Sequence, residues 1–244
     1  MQSWQWPNNI VRKRKVMMNI PITYLRNYQN LSTFAAKLVK QQVKKNPASN
    51  LGLPTGGTPI GMYEELVKDK TIDWRGVKTF NLDEYVGIDK NHPESYHNFM
   101  ARNLHDHVNI AKANIFFPNP DCPLEYDNTI KTYGGLDLLV MGMGSNGHVA
   151  FNEPGTDMMS LTHITDLAEQ TIQDNARFFK SIDEVPTKAV TMGLRTIVQA
   201  RHILLLITGK KKLKVLQKAI WGPDYKIPVS IINGHKKVEI LYCD

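Results

Sequence analysis

Three segments of this chain place chemically competent side chains beside glycines. In GMGSNGHVAFNEPG, Gly142 to Gly155, His148 and Glu153 stand five residues apart next to a flexible turn. An imidazole and a carboxylate placed this way suit proton exchange near neutral pH, which is what general acid/base catalysis needs. In FNLDEYVG, Phe80 to Gly87, Asp83 and Glu84 are adjacent carboxylates. Neighbouring side chains do not easily turn inward together, so one is expected to act and the other to support it. In GLPTGGTP, Gly52 to Pro59, Gly56 and Gly57 allow a ligand to approach the backbone, and Thr55 and Thr58 supply hydroxyls. A helix starting just after them would add free N–H groups and the positive end of its dipole, completing a phosphate cradle. No Gly-Lys-Ser/Thr follows, so this is not the nucleotide P-loop.

Other chemistries are excluded by what surrounds the signals. Gly142, Gly144 and Gly147 form a GxGxxG after an apolar run, with Asp166 near the position of a ribose-binding acid. A dinucleotide site would need a long helix there, and Pro154-Gly155 leaves no room for one. The chain contains neither HExxH nor GxSxG, which argues against a zinc protease or a serine hydrolase. His105 and His107 are two apart and do not share a helical face. Cys122 and Cys243 are isolated, without CxxC, so neither a thiolate zinc site nor a disulfide scaffold is expected.

The elements that must position these groups alternate between strand and helix. Leu31, Phe34, Ala35, Leu38, Val39 and Val43 recur at helical spacing, with Asn30 or Ser32 available as cap. Thr58-Pro59 fits a helix start, Thr as N-cap and Pro at the first helical position. Helices are also expected over 95–105, around 194–199, and through Leu213, Leu216 and Ile220. Strands are expected over 50–53, 77–82, 136–141, 189–191, 203–207 and 238–242. LDLLVM and ILLLI are continuous apolar runs, as in strands buried on both faces. The expected fold is α/β: a doubly wound, mainly parallel, Rossmann-like sheet with helices on both faces and no dinucleotide site. Ligands of such sheets sit beyond the carboxyl ends of the strands, which is where the three segments fall.

Residues 1–19 are expected to be a basic arm and 20–244 a single domain. The net charge of +7 belongs to the start of the chain. Nine Lys and Arg precede Glu64, the first acidic residue, and the remainder carries 21 basic against 23 acidic residues. A nucleic-acid partner therefore does not follow from charge, and the lone tetrad Arg12 to Lys15 is a weak signal for one. No apolar segment of secretory length follows the tetrad, and no run is long enough to span a bilayer. No membrane partner is expected, and a cytoplasmic location suits two free thiols.

GLPTGGTP, FNLDEYVG, HPESYHNFM (His92 to Met100) and GHVAFNEPG together resemble the glucosamine-6-phosphate deaminases, from about residue 20 onward. The related 6-phosphogluconolactonases lack the Phe-Asn-Glu-Pro found here at Phe151 to Pro154. The resemblance implies conversion of D-glucosamine 6-phosphate and water to D-fructose 6-phosphate and ammonia, with no metal or organic cofactor. It implies that Asp83 takes the C2 proton and delivers it to C1, that His148 opens the pyranose ring, and that Glu153 is its acidic partner. Asn146 would orient His148, since an amide accepts no proton. Arg177 and Lys212 resemble phosphate ligands beside Thr55 to Thr58, with Glu84 and Gly144 in support. Asn146 marks the short-chain branch. Leu161 stands where relatives often have Arg, and His163 and Thr165 match basic positions of the long branch's effector site, which argues against allosteric activation and a hexamer; a monomer or small homo-oligomer is expected. Three alternatives remain open at this point: the galactosamine epimer, a lactonase-like hydrolase, and a sugar-phosphate-sensing regulator.

Overall fold

The computed structural model describes residues 20–244. The basic arm, with Arg12 to Lys15, lies outside the described residues. Chain order is β1 (Ile22–Tyr24), α1 (Tyr28–Lys45), β2 (Asn50–Leu53), α2 (Ile60–Lys68), β3 (Lys78–Asn81), β4 (Asp83–Tyr85), α3 (Tyr96–Asn103), β5 (Ile115–Phe116) and α4 (Pro123–Thr132). It continues with β6 (Leu138–Met141), β7 (His163–Asp166), α5 (Glu169–Ala176), β8 (Lys188–Thr191), α6 (Leu194–Val198), β9 (Ile203–Thr208), α7 (Lys210–Ala219) and β10 (Val238–Cys243).

Strand alternation builds two cores from one sheet. Leu204 and Leu206 of β9 join Leu31 and Val39 of α1 and Met62 and Leu66 of α2 on one face. Ile203, Leu205 and Ile207 join Leu194 and Ile197 of α6 and Leu216 of α7 on the other. Strands buried on both sides have no polar face to show, hence the continuous apolar runs. The main sheet has the order β1-β10-β9-β6-β2-β3-β5, and its pairings are parallel. From β2 the chain winds outward through β3 and β5, then returns to β6 and winds the other way. The switch point lies between β2 and β6, so the loops after these two strands flank a crevice at the carboxyl edge.

The structure corrects several local expectations. The cap of α1 is Asn27, whose side chain accepts from Asn30 N–H at 2.9 Å; Asn30 and Ser32 lie inside the helix. Thr58 does not cap α2, which has Pro59 in the cap position and no side-chain cap. The expected strand 77–82 ends at Asn81, and the chain passes at once into a second sheet. That sheet, β4-β8-β7, is antiparallel, with Asp83 opposite Thr191. As Pro154-Gly155 led one to expect, no helix follows the glycines of 142–147. A tight turn bridges Val149 and Asn152 instead, and Asp166, at the end of β7, pairs loosely with Lys188 of β8, 3.7 Å away.

Candidate active site

A cavity of about 650 Å³ opens at the switch point. Thr55, Gly56, Gly57 and Thr58 line it from the loop after β2, and Asp83 lines it from the junction of the two sheets. Gly144 and His148 line it from the loop after β6. Arg177, just past α5, and Lys212, in the first turn of α7, complete this set. The structure thus brings together residues from five separate segments. Asn146, Glu153 and Glu84 stand behind the wall, each in contact with a residue that lines it or adjoins it.

The glycine-rich loop after β2 is held by two tyrosines. Tyr28, in the first turn of α1, donates from its hydroxyl toward Gly57 O and Thr58 O, both 3.1 Å away, and accepts from Gly61 N–H at 2.9 Å. Tyr63 donates to Pro54 O at 2.5 Å. Gly56 has φ +91°, in the left-handed region that glycine enters without strain. Opposite the loop, burial and the neighbouring Arg177 hold the Lys212 ammonium below its ordinary pKa. An anion bound between the two cations would oppose both effects. Lys210 points elsewhere and pairs with Asp244 at 2.9 Å.

His148 is fixed from three sides. Its backbone N–H donates to Asn146 Oδ1 at 3.0 Å, and its C=O accepts from Gly144 N–H at 2.9 Å. Its ring lies against Gly144, where a Cβ would come within 2.2 Å of Cε1. Its Nδ1 lies 3.6 Å from Glu153 Oε2, within ion-pair reach but longer than a hydrogen bond. Glu153 accepts from Asn146 Nδ2 at 2.8 Å and from the Thr171 hydroxyl at 2.5 Å. Burial works to raise the Glu153 pKa; the contacts with His148, Thr171 and Asn146 outweigh it and bring the value down to about 2. A carboxylate that stays ionised beside an imidazole stabilises the imidazolium formed when the ring takes a proton.

The two acids of FNLDEYVG diverge. Asp83 is almost fully buried at the cavity, and burial together with the charge of Glu84 pushes its pKa up to about 8. Glu84 turns away and receives the N-terminus of α3. Its Oε1 accepts from Tyr85 N–H at 2.8 Å and Tyr96 N–H at 3.0 Å, and its Oε2 accepts from His97 N–H at 3.0 Å.

Further side chains reach this cavity that the sequence reading did not single out, among them Tyr28, Tyr96, Thr171 and Asp174. On α5, Thr171, Asp174 and Asn175 recur at helical spacing along one face, a signal the sequence carried. Tyr96 sits inside HPESYHNFM. Tyr28 has no local signal, because its contact spans 29 residues. Among the described residues, no group of three His, Cys, Asp or Glu side chains is placed to hold a metal ion.

A doubly wound sheet whose carboxyl-edge loops gather an acid, an imidazole, two cations and a glycine-rich cradle defines a Rossmann-like α/β enzyme. The chain belongs to the family of glucosamine-6-phosphate isomerases and 6-phosphogluconolactonases, which it matches over residues 26–241. It is 44% identical over 226 residues to a glucosamine-6-phosphate deaminase of Thermoanaerobacter sp. (strain X514), covering 88% of this chain and 89% of that one. It is also 44% identical over 227 residues to that of Clostridium perfringens (strain 13 / Type A), covering 88% and 93%. A solved monomeric glucosamine-6-phosphate deaminase superposes with a TM-score of 0.88 at 38% identity, over 91% of this chain and 96% of that chain. A 6-phosphogluconolactonase from Thermotoga maritima superposes with a TM-score of 0.73 at 22% identity, over 91% and 99%, a likeness of fold alone.

Proposed function

We propose that this chain is a glucosamine-6-phosphate deaminase, converting D-glucosamine 6-phosphate and water to D-fructose 6-phosphate and ammonia. The observation that carries the reading is one cavity lined by Asp83, His148 and the Thr55 to Thr58 loop, in a chain 44% identical to deaminases along most of its length. The family includes lactonases, but the deaminases are the relatives that match this closely, and the lactonase likeness is one of fold.

In this reading Thr55 to Thr58, Arg177 and Lys212 hold the phosphate. The ester is remote from the reacting carbons, so its binding energy can orient the sugar. His148 removes the proton from O1 and returns one to the ring oxygen as the C1–O5 bond breaks, giving an open-chain aldehyde. Glu153, kept ionised by Asn146 and Thr171, stabilises the transient imidazolium. Once C1 is a carbonyl the C2 proton is acidic. Asp83 takes it as the neighbouring ammonium gives up a proton to O1, leaving an enolamine, and delivers it to C1, giving the iminium at C2. Water adds to C2 and ammonia leaves.

A free-enzyme pKa near 8 leaves Asp83 largely protonated at neutral pH. The cationic amine of the arriving substrate, next to C2, favours the ionised form. The same proposal includes a cytoplasmic location, consistent with unpaired Cys122 and Cys243 and a charged substrate. No helix among the described residues is long and apolar enough to cross a membrane. A monomer or small homo-oligomer is part of it too, as is action without metal or organic cofactor.

Incubation with glucosamine 6-phosphate, with coupled detection of fructose 6-phosphate and ammonium, tests the reading. Stoichiometric release of both is expected. Their absence while 6-phosphogluconolactone is hydrolysed would transfer the chain to the lactonase activity. Comparing kcat/KM on the glucosamine and galactosamine esters decides the epimer.

A further inference from the structure

HPESYHNFM contributes Tyr96 to the cavity, yet its second histidine has no part in the reaction outlined above. His97 Nδ1 lies 2.8 Å from Glu84 Oε2. Among the described residues it is the ion-pair partner recorded for Glu84, whose side chain is only 7% exposed. The imidazole is 39% exposed, so protons reach it from solvent. It stacks on Phe117 with ring centroids 3.6 Å apart and planes 18° from parallel, which fixes its orientation.

Glu84 therefore links an open histidine to a closed site. One oxygen meets His97, and the other accepts from the backbone of Tyr96, whose side chain lines the cavity. Glu84 is also bonded in sequence to Asp83. A buried carboxylate with no countercharge repels a second ionised carboxylate beside it. A cation on the far side of Glu84 offsets that repulsion.

We propose that His97 is a positioning residue for proton transfer at C2, supplying through Glu84 the countercharge that lets Asp83 ionise. This deepens the proposed deaminase reading and rests on it for the identity of the proton moved. The groups facing the relay are few. Tyr85, Tyr96 and Tyr126 act with Asp83 from β4, α3 and α4, and burial keeps all three phenols protonated. Behind His97, His105 hydrogen-bonds Thr79 at 3.1 Å, and burial lowers its pKa to about 4, so it adds no cation near neutral pH.

Two variants change the charge in opposite directions. His97→Gln keeps a hydrogen-bond donor but no charge, and His97→Arg is a permanent cation. The first readout is the carboxyl carbon-13 titration of Asp83 in the ligand-free protein, which needs no turnover. The midpoint is expected to lie about one unit higher in His97→Gln than in His97→Arg, with the parent at or between them. A gap below about 0.3 unit, or the reverse order, overturns the proposal. The second readout is the pH profile of ammonium release. Near pH 6.5 the kcat/KM of His97→Gln should fall roughly threefold to tenfold below that of His97→Arg, and the two should converge near pH 9. An equal loss at every pH would mark a merely structural role and would also overturn it. If the parent releases no ammonium, the deaminase reading fails, while the titration order still decides whether His97 governs Asp83.

Discussion

At the residue scale, Asp83 and Gly144 carry opposite kinds of constraint. Asp83 is proposed as the only group that moves the C2 proton, so Asp83→Asn should abolish ammonium release. A loss of roughly 10²–10⁴-fold is expected from removing a general base. Sugar-phosphate affinity should stay within about tenfold, because the phosphate contacts are untouched. Release at the parent rate would remove Asp83 from this role. Gly144 carries no functional group, but its missing side chain makes room for the imidazole. A Cβ there would meet Cε1, Nδ1 and Nε2 of His148 at 2.2–2.4 Å. The imidazole cannot yield without leaving Glu153. Gly144→Ala should therefore cut kcat/KM by roughly 10–100-fold with a normal far-ultraviolet circular dichroism spectrum, since misplacing a reacting group by about 1 Å costs that much. Unchanged kinetics would show that the ring is free to shift.

At the scale of elements, the cradle is a loop held by a helix distant in sequence. Tyr28 ties the first turn of α1 to Gly57, Thr58 and Gly61. Tyr28→Phe removes one donor and one acceptor of modest net worth, about 1 kcal/mol. KM for the sugar phosphate should rise about threefold to tenfold with kcat nearly unchanged. A fall in kcat with KM intact would place Tyr28 in the chemistry instead. The same contact explains what the sequence could not disclose. β6 and β9 were legible because strands covered on both faces must be apolar throughout. α1 was legible because its apolar stripe keeps the 3.6-residue period. The small sheet was not: β4 is Asp-Glu-Tyr, an acidic triplet that reads as a loop, and β7 alternates between half-buried and exposed residues. β1 and β5 have three and two residues, too few to show a period. Among site residues, Asp83, His148 and the cradle announced themselves by type and spacing. That Asp83 and Glu84 diverge was expected from their adjacency; that Glu84 receives the start of α3 depends on a contact 12 residues away, which no local pattern discloses.

At the scale of the whole molecule, a buried acid proposed as the catalytic base should leave a mark on folding stability. The Asp83 carboxyl titrates at about 8 in the folded chain, against about 3.9 when unfolded. Between these values the folded state holds a proton that the unfolded state has lost. Stability therefore falls as pH rises through that window, and the contribution is fully present only below the unfolded value. Glu153 acts in the opposite sense, its contribution present above the unfolded range and lost as pH falls toward about 2. It is constant across the alkaline half of the scale. Other buried groups complicate the parent curve. Lys212, with its ammonium held low by burial, makes stability rise again at high pH. The difference between the parent and Asp83→Asn cancels these terms and isolates one carboxyl. Urea unfolding at pH 5 and pH 9 should find that the variant's stability relative to the parent has risen by about 2–4 kcal/mol at the higher pH, discounted from the full linkage of about 1.4 kcal/mol per unit. Parallel curves would mean that Asp83 is ionised at little cost in the folded protein. Its burial would then play no part in tuning the base, and the charge relationship with Glu84 and His97 would lose its purpose.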